Sequence, residues 1–231
     1  MVWLALLSCS KPLPEPEAIT PEPALRRLTI RQYHNTITDL YGDNEAVVLP
    51  TRLEPDFTYE GLASLGAALS ATSPLGVERY EEAARTLSGQ IVTAPDCSGR
   101  DCVEGILAEQ GRMLYRRTLT DEELDGLVDV ALQVADSTDV ETGLEYAFAA
   151  MLQSPWFLYR IEHMPGTLDG PELATRMAYF LWNGPPDAEL LDAAEAGTLD
   201  TEDGLEAQVD RMLADPRYRR GVRDFFSEVL R

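Results

Sequence analysis

The sequence predicts an all-α protein: an irregular bundle of about nine short helices, with one long loop rich in Pro, Gly and Ser and no substantial sheet. Apolar residues recur at helical spacing along most of the chain. Several of these stripes follow a Thr or Asp that stands three residues before Glu or Gln, a helix-start signal. No run convincingly alternates with a period of two, and residues 47–49 form the only weak strand candidate. Because the predicted helices are short and joined by short loops, we expect antiparallel neighbours.

The first helix is predicted between Thr29 and Gly42. Thr29 and Gln32 have the spacing of a capping box, in which each side chain bonds the other residue's backbone N–H. Gly42 is a natural residue to end the helix. Residues 43–72 are predicted to form the long loop, with a short helical turn at residues 65–69.

Three further helices are predicted from paired start signals, each followed by an apolar stripe. Pro is favoured directly after a Ser N-cap, and Glu three residues after Thr or Asp completes a capping box. The three pairs are Ser73 with Pro74, Asp101 with Glu104, and Thr120 with Glu123.

The remaining helices are predicted in the second half of the chain. A fifth covers residues 140–154, and Pro155 breaks or restarts it because helix interiors exclude proline. The apolar run of residues 156–159 continues from there, so Arg160 and Glu162 are expected at a helix end. The last four are a helix capped by Asp169 and Glu172, a short one from Asp187 to Gly197, one at residues 205–213 before Pro216, and one at residues 222–229.

The N-terminus indicates export. The opening MVWLALLSCS has an apolar run too short to span a bilayer, which takes about 20 residues. Residues 6–9, Leu-Leu-Ser-Cys, resemble the lipobox of bacterial lipoproteins, in which the chain is cut before the Cys and its thiol is acylated. We therefore expect a lipoprotein signal at residues 1–8, lipidation of Cys9, and a Pro/Glu-rich tether at residues 9–24. Export without a lipid and an uninformative N-terminus stay open, since no basic segment precedes the apolar run.

Composition limits the partners of the remaining chain. We expect an N-terminal helical subdomain at residues 25–95 and a C-terminal helical domain at residues 96–231. The formal net charge is −21, which argues against nucleic acid and anionic membrane surfaces as partners because both would be repelled. Solubility in an exported setting explains such acidity; an acidic face for a basic partner is the alternative.

The cysteines favour an oxidising compartment. If Cys9 carries lipid, Cys97 and Cys102 are left as a pair separated by a short turn. A local disulfide is the natural state of such a pair in an exported protein. Free thiols and a metal site are the alternatives, but zinc usually needs four ligands and we predict no metal. No C-x-x-C-H haem attachment motif is present, so we predict no cofactor in this chain.

Two groups of polar and aromatic residues are candidate binding residues. Arg160 and Glu162 could line a groove beside Trp156; the alternative is an Arg and a Glu at a helix end that pair with each other or are solvated. The second group is Trp182, Asn183 and Asp187, in a loop between two helices, where Trp and Asn could bind a sugar ring. Its alternative is a buried Trp beside an Asn and an Asp that cap the turn and the next helix.

The two histidines are expected to be structural: His34 lies on the first helix, and His163 ends a helical run, where a cation suits the helix dipole. No catalytic sequence motif was recognised, so enzymatic activity stays undecided.

Five stretches in this order resemble the exported planctomycete-type domains of unknown function, which also occur in myxobacteria. They are RRLT…YHNTITDLYG (26–42), YRRTLTDEE (115–123), LQSPWFLYRIE (152–162), YFLWNGPPD (179–187) and QVDRMLADPR (208–217). The resemblance covers nearly everything from residue 24 onward. It implies export and association with a c-type cytochrome domain, and it implies no established activity. Gln32 stands where the family usually has Glu, and Thr118 stands where it usually has Pro. In length, the chain resembles a short member of the family or a fragment of one.

The function expected from these observations is a scaffold or binding module of a bacterial cell-envelope assembly. We expect the protein in the periplasm, on the outer membrane as a lipoprotein, or outside the cell. The resemblance implies a c-type cytochrome as partner, with haem on that partner. The alternative is an envelope enzyme, carbohydrate-active or redox, that uses polar residues around Trp182 and Arg160. Convergence of those residues in one pocket would favour the enzyme.

Overall fold

The computed structural model describes residues 24–42, 44–163 and 168–230. The expected signal, the lipidation of Cys9 and all but the last residue of the tether lie outside these ranges. The elements in order are β1 Ala24–Arg27, α1 Ile30–Tyr41, α2 Ala63–Leu69, α3 Pro74–Ile91, α4 Arg100–Tyr115, α5 Asp121–Ala135, α6 Val140–Gln153, α7 Pro155–Leu158, β2 Tyr159–Glu162, α8 Gly170–Leu181, α9 Ala188–Glu195, a 3-10 turn Thr198–Asp200, α10 Glu202–Ala214 and α11 Pro216–Val229.

The all-α class is confirmed, and the helix count differs slightly from the expected nine. The described ranges contain eleven α-helices and a single two-stranded sheet. The two additional helices are short: α2 contains the helical turn expected at residues 65–69, and α7 begins at Pro155, which restarts the chain after α6. None of the helices in these ranges is both long and apolar enough to span a bilayer.

Local start signals are mostly confirmed. The capping boxes predicted at Thr29, Thr120 and Asp169 are all formed, and Ser73 caps α3 in front of Pro74. The box predicted at Asp101 is wrong. Helix α4 begins two residues earlier than predicted, because its N-cap is Gly99 at φ 88°, a backbone conformation that favours glycine. Asp101 therefore lies within the first turn and does not cap it.

The two strands were not predicted from the sequence. Strand β1 pairs antiparallel with β2, and Arg26 lies directly opposite Arg160. The expectation that the helical run continues to residue 163 is wrong, because the chain turns extended at Tyr159 and its backbone pairs with β1. Arg160 and Glu162 therefore lie in a strand, and His163 follows it. The strand candidate at residues 47–49 is also wrong, since that segment is irregular.

The buried apolar residues form two clusters. The first is built by α1 and α3–α7, with Leu87, Leu107 and Leu144 among its fully buried side chains. Each such side chain contributes about 1.5–3 kcal/mol by leaving water. The second cluster lies between α8, α9 and α10, around Trp182. The first cluster runs across the subdomain boundary expected after residue 95.

Candidate functional site

Trp156 and Arg160 line one small cleft. It lies between the C-terminal end of α4, strand β2 and the first turns of α8. Its volume is about 40 Å³, which is room for roughly three water molecules. A small polar group fits such a space, whereas drug-sized ligands occupy pockets several times larger.

Arg116 forms the inner wall of the cleft. It ends α4 in a left-handed conformation at φ 61° and is almost completely buried. Its guanidinium donates to the carbonyl oxygens of Leu114, Trp156, Phe157 and Tyr159 at 2.5–3.2 Å. Burial lowers the pKa of Arg116. Arg116 thus holds the junction of α7 and β2 against the end of α4, a role that no local sequence signal indicates.

Two further side chains of the cleft, Arg117 and His163, pack on Trp156. The guanidinium carbon of Arg117 lies 4.1 Å from the Trp156 ring centroid, and the His163 ring lies 5.7 Å from it. Both have acidic partners. Arg117 donates to Glu123 at 2.7 and 2.8 Å, and these bonds lower the pKa of Glu123. His163 Nδ1 lies 2.7 Å from Glu172 Oε1.

Arg160 is held differently. Its guanidinium carbon lies 5.3 Å from the ring centroid of Tyr179, and its Nε is buried without a hydrogen-bond partner among the described residues. Burial lowers the pKa of Arg160 to about 10, so the group remains cationic at neutral pH. Glu162, two residues on, does not neutralise it directly, since it accepts bonds from Arg176 at 2.6 and 3.1 Å.

Asn183 lies away from this cleft and connects three helices. Its side-chain oxygen accepts from Gln32 at 3.1 Å, and its Nδ2 donates to Asp224 at 3.1 Å. Its backbone oxygen accepts from Asn35 at 2.8 Å. Asp224 is buried and also accepts from Arg31 at 2.8 Å. The network joins the polar face of α1 to the end of α8 and to α11.

Trp182 lies in the second apolar cluster, and Asp187 precedes α9, one of the helices that form this cluster. The Trp182 ring is fully buried, its Nε1 donates to the carbonyl of Met212 at 3.0 Å, and the Arg217 guanidinium carbon lies 3.5 Å from its centroid. Asp187 N-caps α9. Burial would raise the pKa of Asp187, but hydrogen bonds from Arg211 and Arg217 outweigh it and lower that pKa to about 2. Trp182 therefore has no open face on which a sugar ring could stack.

The candidate residues do not converge. Trp156 and Arg160 share the cleft, Glu162 is bonded to Arg176, and Asn183 and Asp187 belong to two other networks. Over residues 24–42, 44–163 and 168–230, no three His, Cys, Asp or Glu side chains are grouped as metal ligands.

The two cysteines that the sequence predicts to pair are close together in the structure. Cys97 and Cys102 lie at disulfide distance, with their Cα atoms 5.8 Å apart. The pair links the segment before α4 to the first turn of that helix, across Gly99.

A second, apolar cleft was missed by the sequence analysis. It has a volume of about 290 Å³ and lies between the end of α3, the middle of α4 and α6. Thr93 and Gln110 are its polar lining residues, and Gln110 accepts a hydrogen bond from the Tyr41 hydroxyl at 3.0 Å. The lining residues Leu144 and Phe148 belong to the first apolar cluster, so from sequence they are indistinguishable from ordinary core residues.

Three family models match the chain in succession. PSD3, a protein of unknown function (DUF1587), matches residues 26–93; PSD5, a protein of unknown function (DUF1595), matches residues 102–162; PSD4, a protein of unknown function (DUF1592), matches residues 168–231. The resemblance found in the sequence is thereby confirmed. Neither the curated proteins nor the solved structures contain a match to this chain.

Proposed function

The chain carries the three planctomycete-type domains of unknown function PSD3, PSD5 and PSD4 in that order, and from this premise we propose that it is an exported, lipid-anchored scaffold or binding module of a bacterial cell-envelope assembly. The observation that carries the proposal is how the candidate polar residues are used. Asn183 and Asp187 hold helices together by bonds to Asp224, Arg211 and Arg217. In the described part of the chain these residues bond helices to one another and do not line the cleft of Trp156 and Arg160.

Strand pairing and hydrogen bonds between the three matched domains support a single module. Strand β1 starts at the edge of the PSD3 match and pairs with β2, which ends the PSD5 match. Helix α1 of PSD3 bonds to PSD4 through Asn35 with Asn183 and Arg31 with Asp224. A surface presented by such a body keeps its geometry, which lowers the entropy lost on binding a partner.

Two features that agree with each other support export. The lipobox-like residues 6–9 precede a proline-rich stretch, and Cys97 and Cys102 lie at disulfide distance. Disulfides persist in oxidising compartments and are rare in the cytosol. We place the protein in the periplasm, on the outer membrane, or outside the cell on these grounds.

A c-type cytochrome is the proposed partner, with haem carried by that partner. The family association motivates it, and the net charge of −21 would attract a basic protein surface over a Debye length of about 8 Å at physiological salt. Binding of this kind weakens steeply with ionic strength. Affinity purification of the protein from its host envelope at low salt should recover a haem-containing protein that elutes as salt rises. Recovery without haem, or haem retained equally at high salt, would count against this partner.

The anchor has its own test. The intact mass of protein purified from the native host should show two or three acyl chains on Cys9, because a single chain binds membranes only marginally. Cys9→Ser should leave the membrane fraction, whereas Ser10→Ala should remain in it. A mature chain that still begins at Met1 and fractionates as soluble would contradict the proposal.

A further inference from the structure

Two arginines face each other on one side of the β ribbon. Arg26 and Arg160 are directly opposite in the antiparallel register. Side chains opposite one another in such a pair lie on the same face, with Cβ atoms about 4.5–5.5 Å apart, and like charges in these positions destabilise the pair. Neither side chain is fully exposed, so water screens the repulsion only in part.

Neither arginine has an acidic partner within the described residues. The Nε atoms of both are buried without a hydrogen bond, and no ion pair to either guanidinium is formed there. The chain has 40 acidic and 19 basic residues, so carboxylates are abundant. The neighbouring Arg117 and Arg176 are each bonded to a glutamate. Unlike these two neighbours, Arg26 and Arg160 have no carboxylate partner among the described residues.

The surroundings keep the Arg160 guanidinium in place. Tyr179 lies beneath it, with the ring centroid 5.3 Å from the guanidinium carbon, and Tyr179 is itself bonded to Thr36 at 2.9 Å. Arg160 also lines the cleft beside Trp156, which has room for roughly three water molecules. A guanidinium fork binds carboxylate and phosphate oxygens through paired hydrogen bonds. An anion of that size would satisfy the free N–H groups and remove the repulsion.

We propose that Arg26 and Arg160 together bind an oxyanion, a carboxylate or phosphate group of a small soluble ligand. The proposal deepens the binding-module function and rests on it. It does not rest on the lipid anchor or on the cytochrome partner, which are tested separately. The recessed position of Arg160 and the overall negative charge favour a soluble ligand over an anionic membrane surface.

Thermal unfolding of the full-length chain in the presence of inorganic phosphate or acetate tests the site. Sodium chloride holds the ionic strength constant. A ligand that binds the folded state raises the folded-to-unfolded ratio about tenfold for each tenfold increase in concentration above its Kd. We expect the melting temperature to rise with one of the two anions, and the responding anion identifies the group. Isothermal titration with that anion gives the affinity directly.

Three variants separate binding from packing. Arg160→Gln and Arg26→Gln should each weaken the anion's affinity at least tenfold, and Arg160→Lys should fall between them and the natural protein because it keeps the charge without the fork. The control is Arg52→Gln. The Arg52 side chain is 77 % exposed, and its Nη2 lies 3.9 Å from Glu82 Oε1. Arg52→Gln should leave the response unchanged. In chloride alone, Arg160→Gln should melt no lower than the natural protein, since it removes one of two adjacent cations.

Three results would overturn the proposal. The first is no response of the natural protein to either anion. The second is an unchanged anion affinity in Arg160→Gln. The third is an equal loss of melting temperature by Arg160→Gln in every buffer, which would mean that Arg160 only packs on Tyr179.

Discussion

Asn183 donates a hydrogen bond from its Nδ2 to the carboxylate of Asp224 at 3.1 Å while its own backbone is in a left-handed conformation at φ 53°. Asn is one of the few non-glycine residues that adopt this conformation readily. The backbone turn points its carbonyl at Asn35 of α1, and the side chain reaches α11. Asn183 thus adopts the backbone conformation that the turn requires, and its hydrogen bonds hold α1 and α11 at the end of α8.

Asn183→Ala should destabilise the protein by about 2–4 kcal/mol. A left-handed alanine costs about 1–2 kcal/mol, and the lost bond to buried Asp224 adds a comparable amount. Asn183→Gly removes the same bonds without the conformational penalty, so it should be about 1 kcal/mol less destabilising. Urea unfolding followed by circular dichroism measures both. Equal losses in the two variants would show that the backbone conformation contributes nothing.

Asp187 should make stability fall below about pH 4. Its folded pKa is about 2, against about 3.9 in an unfolded chain. A depressed folded pKa stabilises above the unfolded value, and this stability is lost as pH falls from about 4 to about 2. A shift of this size corresponds to at most roughly 2–3 kcal/mol, and solvent screening of this half-buried carboxyl reduces its contribution to stability below that limit. Asp187→Asn keeps a capping side chain but should lose less stability between about pH 4 and about pH 2 than the natural protein does. Urea unfolding at several pH values measures this difference in the free energy of unfolding.

Asp139→Asn is the matched control for the pH experiment. Asp139 also N-caps a helix, α6, but it is exposed and has no arginine partner in the described residues. Hydrogen bonding within the cap lowers the pKa of Asp139. Solvent screening leaves that shift little effect on stability, so Asp139→Asn should retain most of the decline. A decline of the same steepness in Asp187→Asn and in the natural protein would contradict the assignment.

Local features of the fold could be predicted from the sequence, and distant pairings could not. The capping box of Thr29 and Gln32 is a spacing of three residues, so the chain itself displays it. The ribbon joins residues 24–27 to residues 159–162 through strands of four residues, which are too short to show a period. Tyr159 therefore looked like a continuation of the apolar helix before it.

The candidate site shows the same division. Trp156 and Arg160 could be grouped because they are four residues apart in one stretch, and they do share a cleft. The bonds of Arg116 to carbonyls of α7 and β2 could not be predicted, because main-chain oxygens carry no residue-type signal. Arg26 was not singled out, since its position opposite Arg160 follows from the unpredicted ribbon.

Gly221→Ala should be destabilising because α11 approaches α8 closely at this position. A Cβ atom on Gly221 would lie 2.2 Å from the carbonyl oxygen of Leu181, so the two helices would have to move apart. Overpacking of this kind typically costs about 1–3 kcal/mol. Gly105→Ala in α4 is the control, since its Cβ would meet nothing within 4 Å. Gly105→Ala should stabilise the protein by about 0.4–1 kcal/mol. Chemical denaturation measures the change in the free energy of unfolding of both variants. A change of the same sign in the two variants would contradict the close approach of α11 to α8.

Cys97 and Cys102 should form a disulfide in protein taken from the envelope, and its loss should be tolerated. The cysteines are five residues apart, so the chain-entropy model gives only about 2 kcal/mol for closing the loop. The bond ties the start of α4 to the segment before it and joins no distant elements. Cys97→Ala with Cys102→Ala should therefore fold, with a melting temperature lower by about 5 °C.

Thiol labelling of unreduced protein is the direct measurement of that bond. Cys97 and Cys102 should resist labelling until a reductant is added, and Cys9 should stay unlabelled throughout because acylation blocks its thiol. Reduction should lower the melting temperature by the same amount as the double alanine variant, since both open the same loop and nothing else. Two freely reactive thiols in envelope protein would contradict the bond. They would also remove one of the two features that support export, because a cysteine pair at this distance stays reduced mainly in a reducing compartment.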